Sequence, residues 1–493
     1  MMSFAFQLRR DRQAALYQQI ADQIKDQISS NRLPAGARLP TIRQLAQQVG
    51  VTRVTVQNAY DALQADGWIE TTIGRGTFVS TRVQPQIVLR SLEQQVTPDG
   101  VISDILQISE MVGVRTLASA SPDPQLFPAD EFWGTLAALR SEAATIASYG
   151  ASQGAPSLRL ELAKVLRERQ IEVTPDEIIV TSGVTQGLSL VAQALCRLGD
   201  VVLVEQPSYV GFLHLLKMQG LQPVAVALDE EGPRLDQLER IAAQNRPRLF
   251  YTIPTFHNPT GFCMSPARRQ AVLDLAVRYG FLVVEDDLYA GLAYDQPAPP
   301  PLFAQDRTGS VVYLSSFSKT LMAGLRLGYL VAPAPLQQKL VSLRRANDLC
   351  GPTLLQHALA AFLNEGGYKR HMRRVLPVYR ERRDSYVAAM QHAMPASICW
   401  TRPAGGFCSW LTLPRHPALG DIYHVAVQHG WVFAPGAVFL TEASPDHHLR
   451  ICFGHQPPAT IRTGVELLGR LMRERLDHSK RQEMGASAWT PLV

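Results

Sequence analysis

From about residue 116 onward the sequence settles into one rhythm. Short runs rich in β-branched and aromatic residues alternate with stretches of helical spacing: EIIVTSG, VVLVEQPSY, PVAVAL, RLFYTIPTFHNPTG, FLVVEDDLY, VVYLSSFSK and RLGYLVAP. Parallel strands need long crossovers, and those crossovers cover both faces of the sheet with helices. The pattern therefore dictates an α/β domain with a mostly parallel sheet, over residues 116–477. After about residue 365 a long helical stretch leads into a mixed α+β ending, read as a smaller C-terminal subdomain over about 365–477. The polar tail 478–493 is expected to be frayed.

The first 81 residues follow a different pattern. In ALYQQIADQIKDQISSNR the residues Leu16, Ile20, Ile24 and Ile28 recur every four, which is one stripe of an amphipathic helix. Pro34 and Gly36 break it. TIRQLAQQV reads as a second helix capped by Thr41 and stopped by Gly50. A third helix starts at Thr52 and carries Val56, Tyr60 and Leu63 on one face. WIETTIGRGTFVS then reads as a two-stranded ribbon with a tight tip. Three helices and a ribbon form a mainly α winged helix-turn-helix over 1–81, with the short turn between helices two and three that this motif needs.

The N-terminal end of such a third helix enters the major groove. Thr52, Arg53, Thr55, Gln57 and Asn58 lie at or near that end, opposite the apolar stripe. Arg43 on the preceding helix suits a phosphate, and Arg75 at the ribbon tip suits a phosphate or the minor groove. Residues 1–81 hold nine Lys+Arg and six Asp+Glu, a local charge of 9 − 6 = +3. The whole-chain charge of +5 is modest and by itself does not point to a polyanion. Residues 82–115 show no period and read as a linker.

The 493 residues are 46% hydrophobic and 18% charged, which excludes global disorder. The six cysteines form no CxxC pair and are too sparse for a disulfide scaffold. They read as buried free thiols in a reducing cytoplasm. No secretory signal and no membrane-spanning stretch is read.

The strand ends of the α/β domain collect groups that pyridoxal phosphate (PLP) chemistry requires. Lys319, behind a run of small hydroxylated residues, offers the amine for a Schiff base. Asp286 closes a strand and can hold the pyridine nitrogen protonated, with Tyr289 three residues on and Asn258 after another strand. Ser316, Ser318 and Arg326 suit a phosphate, as do the N–H groups of Val184 and Thr185 where a Gly-containing turn opens a helix. Tyr209 offers a ring for stacking. Singly each is ordinary; a lysine after serine is usually surface, and NPTG is a good turn. Their joint occurrence, each behind a strand, is not ordinary, because open α/β sheets bind ligands at the carboxyl ends of their strands.

Three resemblances follow from these motifs. LPTIRQLAQQVGVTRVTVQNAYDALQADGWIETTIGRGTFV resembles the GntR-type winged-helix domain, although many such domains carry arginine where Gln57 stands. Residues from about 116 to 475 resemble a fold type I aminotransferase through HNPTG, EDDLY and SFSK…GLRLGY. That likeness implies Lys319 as the Schiff-base lysine, Asp286 at the ring nitrogen and Asn258 and Tyr289 at the phenolic oxygen. It further implies Ser316, Ser318 and Arg326 at the phosphate, Tyr209 stacked on the ring and Arg450 on a substrate α-carboxylate. Tyr149 would reach the phosphate of a neighbouring subunit, which implies a homodimer. The two parts together resemble the MocR-like subfamily of GntR-type transcriptional regulators, in which the aminotransferase-like part is a sensor. The implied function is a PLP-dependent regulator that binds double-stranded operator DNA and responds to PLP or a small amino compound. The alternative is an active aminotransferase with an appended DNA-binding domain.

Overall fold

The computed structural model describes residues 15–29, 33, 36–65, 68–72, 76–80, 115–442 and 447–487. The chain divides into two compact units, Met1–Arg115 with His424–Val432, and Thr116–Tyr423 with Phe433–Val493. The expected linker up to residue 114 and the ribbon tip with Arg75 lie outside the described residues.

In the N-terminal module α1 (Leu16–Ser29), α2 (Ile42–Val49) and α3 (Arg53–Ala65) precede β1 (Ile69–Thr72) and β2 (Gly76–Val79). Each boundary has a local cause. The Thr41 hydroxyl accepts the Gln44 amide at 3.3 Å while the Gln44 side chain accepts the Thr41 amide at 3.0 Å, a capping box that starts α2. Gly50 ends it with φ +71°, a left-handed conformation that favours glycine. The Thr52 hydroxyl accepts the Thr55 amide at 3.2 Å and starts α3. The expected stripes face inward: Ile20, Ile24, Val56, Tyr60 and Leu63 are buried in one core with Leu45, Ile69 and Val79. Each such side chain contributes roughly 1.5–3 kcal/mol of burial.

The second unit is built on an eight-stranded sheet. Its strands are β3 (Ile178–Thr181), β4 (Val201–Gln206), β5 (Gln222–Asp229), β6 (Gly232–Pro233), β7 (Leu249–Thr252), β8 (Leu282–Asp286), β9 (Val311–Ser316) and β10 (Gly328–Val331). The order across the sheet is β3-β10-β9-β8-β7-β4-β5-β6. Pairs β9–β8, β8–β7, β7–β4 and β4–β5 are parallel, and β10 runs antiparallel between β9 and β3. Strands β3, β7, β9 and β10 are buried at every position and β8 at every position after Leu282, which is why their sequences are largely continuous apolar runs rather than alternating ones. The α4 helix (Val184–Leu195) follows β3 and α5 (Val210–Met218) follows β4.

The long stretch after residue 365 is α6 (Gly367–Ala393), and it packs against the last helix, α7 (Pro458–Ser487). Between them lies an antiparallel sheet of β11 (Cys399–Trp400), β12 (Cys408–Thr412), β13 (Ala434–Pro435) and β14 (His448–Cys452), in the order β11-β12-β14-β13. The frayed tail expected from residue 478 is corrected here, because α7 continues to Ser487. Lys480 to Met484 are all good helix formers, and extending an existing helix through such residues is far easier than nucleating one. No described helix is long and apolar enough to cross a membrane.

Leu63→Ala opens a cavity in the N-terminal core and is expected to cost about 2–5 kcal/mol there. Hydrogen exchange at the α3 amides of the intact protein is the measurement; wild-type protection factors in the variant would refute this packing.

Candidate functional site

β9 ends at Ser316 and the chain turns sharply, with the Leu321 amide bonded to the Phe317 carbonyl at 2.9 Å. That turn sets Lys319 at the strand mouth. Its Nζ donates to the Ala120 carbonyl at 2.8 Å and lies 6.0 Å from the Tyr289 ring centre. Burial lowers the pKa of Lys319; the Arg450 charge adds to this, while Cys408, Cys452 and Asp286 oppose it. Lowering the pKa of a lysine raises the share of the nucleophilic neutral amine.

Asp286 sits on the adjacent strand, in parallel register with Leu314. The Tyr251 hydroxyl, from β7, donates to its Oδ2 at 2.8 Å. Its Oδ1 is buried without a hydrogen-bond partner among the described residues. Burial, helped by neighbouring Asp287, pushes the carboxyl up to about 7, with the Tyr251 bond and Lys319 pulling the other way. Asp287 is bound elsewhere: its Oδ2 accepts from Arg169 at 3.1 Å and from the Tyr313 hydroxyl at 2.9 Å. Both consecutive acids keep a buried Oδ1 without a partner among the described residues, but Asp287 is paired with the Arg169 guanidinium at 3.1 Å, which leaves Asp286 as the acid that faces Lys319.

Asn258 and Arg450 meet directly. The Asn258 Oδ1 accepts an Arg450 guanidinium N–H at 2.9 Å, and its Nδ2 faces the Tyr289 hydroxyl at 3.5 Å. The other end of the Arg450 fork donates to the Ala118 carbonyl at 2.5 Å, and the guanidinium lies 4.6 Å from the Phe439 ring centre. The Arg450 Nε is buried and unpartnered among the described residues.

The turn expected to meet a phosphate lies where β3 gives way to α4. Gly183 caps the helix at φ +81°, and a Cβ there would come within 2.8 Å of the Arg326 guanidinium. A Cβ at Gly328 would come within 2.9 Å of Gly183 itself, so the two glycines let the strands and Arg326 close on one another. Arg326 donates to the Ser182 carbonyl at 3.3 Å and is otherwise exposed. Val184 and Thr185 are the first two residues of α4, whose leading N–H groups have no helical acceptor. Tyr209 caps α5, and its hydroxyl shares a hydrogen bond with Thr185; burial raises its pKa, and the Asp286 charge adds to this. The Ser316 hydroxyl instead accepts the Ser318 amide at 3.2 Å, so it shapes the Lys319 turn. Tyr149 stands apart with 87% of its surface exposed.

Reading the residues alone missed Tyr251, the carbonyls of Ala118 and Ala120, Phe439 and the thiol pair Cys408–Cys452. Each reaches the site from a strand or segment distant in sequence, a proximity visible only once strand order is known. The cysteine expectation is corrected: all six are free, but only Cys408 and Cys452 are buried, and Cys399 is exposed.

At the N-terminal module Arg43, Thr52, Arg53, Gln57 and Asn58 are exposed and Thr55 is half-buried. Thr52 and Thr55 hydroxyls bond each other at 2.8 Å, and the Gln57 amide donates to Asp61 at 2.7 Å, so these three are partly occupied by their own helix. Arg43, Arg53 and Asn58 have no side-chain partner among the described residues. Arg38, also missed, is exposed and lies against the ribbon: a Cβ at Gly76 would sit 3.1 Å from its guanidinium.

The pocket fits PLP on its own geometry. A buried carboxyl oxygen without a partner awaits a protonated nitrogen, an amine whose pKa burial lowers stands near it, and a glycine-lined helix start with Arg326 suits a phosphate.

Comparison with known proteins places both units. Residues 125–468 match the aminotransferase class I and II family, and residues 16–79 match the bacterial regulatory proteins of the gntR family. The HTH-type transcriptional regulator YjiR of Escherichia coli is 31% identical over 92% of this chain and 98% of its own. The probable rhizopine catabolism regulatory protein MocR of Rhizobium meliloti is 27% identical over 94% of each. The chain belongs to the MocR-like subfamily of GntR-type regulators. Its second unit also resembles solved aminotransferases. The α-aminoadipate aminotransferase LysN of Thermus thermophilus, solved with N-(5'-phosphopyridoxyl)-L-leucine, superposes with a TM-score of 0.71 at 32% identity, covering 79% of this MocR-like chain and 97% of LysN.

Asp286 generates a pH signature. Its folded pKa lies above the ordinary value of about 3.9, so the cofactor-free folded chain keeps a proton that the unfolded chain loses. Stability is therefore expected to fall as pH rises from about 4 to about 7, by up to about 1.4 kcal/mol per unit from this group. Subtracting the urea-unfolding pH profile of Asp286→Asn from that of wild type isolates the effect; identical slopes in the two proteins would contradict it.

Proposed function

We propose that this chain is a cytoplasmic, PLP-dependent transcriptional regulator. Its N-terminal module binds double-stranded operator DNA, and its aminotransferase-like unit senses PLP or a small amino compound through Lys319. The observation that carries the proposal is the coexistence in one chain of an intact amine–carboxyl pair, Lys319 and Asp286, with a helix-turn-helix whose α3 start is exposed and polar.

The cofactor, when bound, supplies an aldehyde that condenses reversibly with primary amines and a pyridinium that draws electrons. The chain's residues do the rest. Burial favours the neutral form of Lys319, the form that can attack an aldehyde. The Asp286 carboxylate would accept the pyridine N–H and, once paired, would lose the reason for its raised pKa. Asn258 and Tyr289 would donate toward the phenolic oxygen. Arg326, Ser318 and the first amides of α4 would hold the phosphate, and Tyr209 would cover the ring. Arg450 is preset by Asn258 and Phe439 to take a carboxylate by exchanging its Ala118 contact for a charged one.

A ligand that favours one conformation shifts a pre-existing equilibrium by its differential affinity, about 1–3 kcal/mol for typical coupling. In a homodimer, with Tyr149 contributing to the neighbour's phosphate site, such a shift would change how two DNA-reading heads engage paired half-sites. The intact Lys319, Asp286 and Arg450 also favour a second reading, an active aminotransferase carrying a DNA-binding module. Sustained multiple turnover with no ligand effect on DNA affinity would decide for it.

Two outcomes are expected. Lys319→Ala removes the visible absorbance of the cofactor-loaded protein, and an unchanged spectrum would reassign the lysine. Arg53→Ala weakens binding to DNA flanking its own gene and lowers the salt slope by about one. A filter-binding series in salt that overlays wild type would place α3 away from the duplex.

A further inference from the structure

The sulfur atoms of Cys408 and Cys452 lie 3.7 Å apart in the wall of the site. The two residues face each other across β12 and β14. The Phe453 amide bonds the Phe407 carbonyl at 3.1 Å, whereas the Cys452 amide turns to Leu117 at 2.7 Å. That makes Cys408–Cys452 a non-hydrogen-bonded cross-strand pair, with Cα atoms typically ~4.5 Å apart. Disulfides span Cα distances of about 4.4–6.8 Å, so the backbone is already in range. The sulfurs need only close from 3.7 Å to a bond of ~2.0 Å.

We propose that Cys408 and Cys452 form a reversible thiol–disulfide site, closed by a hydroperoxide and reopened by a thiol, that is wired to the cofactor pocket. The wiring runs through Asn258. The Cys408 thiol donates to the Asn258 Oδ1 at 3.7 Å, the same oxygen that Arg450 holds at 2.9 Å. Arg450 is also two residues from Cys452 on β14. Closing the disulfide removes the S–H donor and ties the Arg450 strand to β12. The effect on ligand rests on the PLP reading above; the chemistry of the pair does not.

The electrostatics suit the first step. Burial works against ionisation of Cys452, but the Cys408 contact and the Arg450 and Lys319 charges bring it down to about 7. Burial pushes Cys408 the other way. The Cys452 thiolate attacks the terminal oxygen of the hydroperoxide, gaining S–OH and releasing an alcohol once a proton is taken up. Cys408 then gives up its proton, attacks that sulfur and expels hydroxide, which leaves as water. Two thiols and one hydroperoxide thus yield one disulfide, one alcohol and one water. With hydrogen peroxide both released molecules are water.

The test treats full-length, PLP-loaded protein with about one equivalent of hydrogen peroxide, alkylates under denaturing conditions and maps peptides without reduction. A cross-linked peptide pair through Cys408 and Cys452 is expected, abolished by dithiothreitol, with free thiols falling from six to four. Retention of PLP, read by absorbance on titration, is expected to weaken about three- to tenfold, the size of one lost hydrogen bond. Recovery of both cysteines alkylated while other thiols oxidise would overturn the site. A clean disulfide with unchanged PLP retention would overturn its coupling to the pocket. If reduced protein takes up no PLP at all, the pocket reading fails instead, and the peptide map on the cofactor-free chain still decides the disulfide.

Discussion

A carboxyl group buried with one oxygen unpartnered is unfavourable, and the second unit is organised around one. Asp286 keeps its Oδ1 bare while Tyr251 serves Oδ2. Transferring such a group out of water costs several kcal/mol as an anion, so without a cationic neighbour it holds its proton. The arrangement becomes favourable only when a positive group arrives. That group must enter where parallel strands β7, β8 and β9 end together, because their register alone brings Tyr251, Asp286 and the Lys319 turn to one mouth. Lys319 does not fill the role: its own burial drives it toward neutrality, and its proton is donated to Ala120. Two groups that would otherwise neutralise each other are held ready for a third.

The same logic explains why so much of the fold was legible and some of the site was not. The seven sheet-forming runs from EIIVTSG to RLGYLVAP all became strands; in most of them burial on both faces leaves an apolar signature independent of partner, while Gln222–Asp229 has one fully buried position, Val226. Caps at Thr41 and Thr52 and the stop at Gly50 are local chemistry and read directly. The α/β character followed from rhythm, but the antiparallel placement of β10 between β9 and β3 did not, because the chain between Ser316 and Gly328 is too short for a crossover and that inference needs the pairing first. Tyr251 and Phe439 are unremarkable in sequence; each acts through an element that strand order brings alongside. The reading of residues 478–487 failed because polarity was taken for irregularity, whereas a helix anchored upstream on α6 tolerates a polar extension.

Gly183 shows how backbone and charge were fixed together. Its positive φ opens α4 and clears the space that Arg326 occupies, itself left-handed at φ +51°. A side chain at Gly183 would be strained twice, by conformation and by the guanidinium. The loss would fall on anion binding rather than on the apolar core beneath, where Leu188 and Val191 of the same helix are buried.

At the other end of the chain, the exposed start of α3 carries fewer free contacts than its sequence suggests. Thr52 and Thr55 spend hydroxyl capacity on the cap, and Gln57 leans on Asp61. Arg53, Asn58, Arg43 and Arg38 are left as the groups best placed to meet a duplex. A module with a local charge of +3 and few such groups gains limited affinity from phosphates alone, since each neutralised phosphate contributes about one unit of salt slope. A reader with many more cations would gain correspondingly more from phosphates alone.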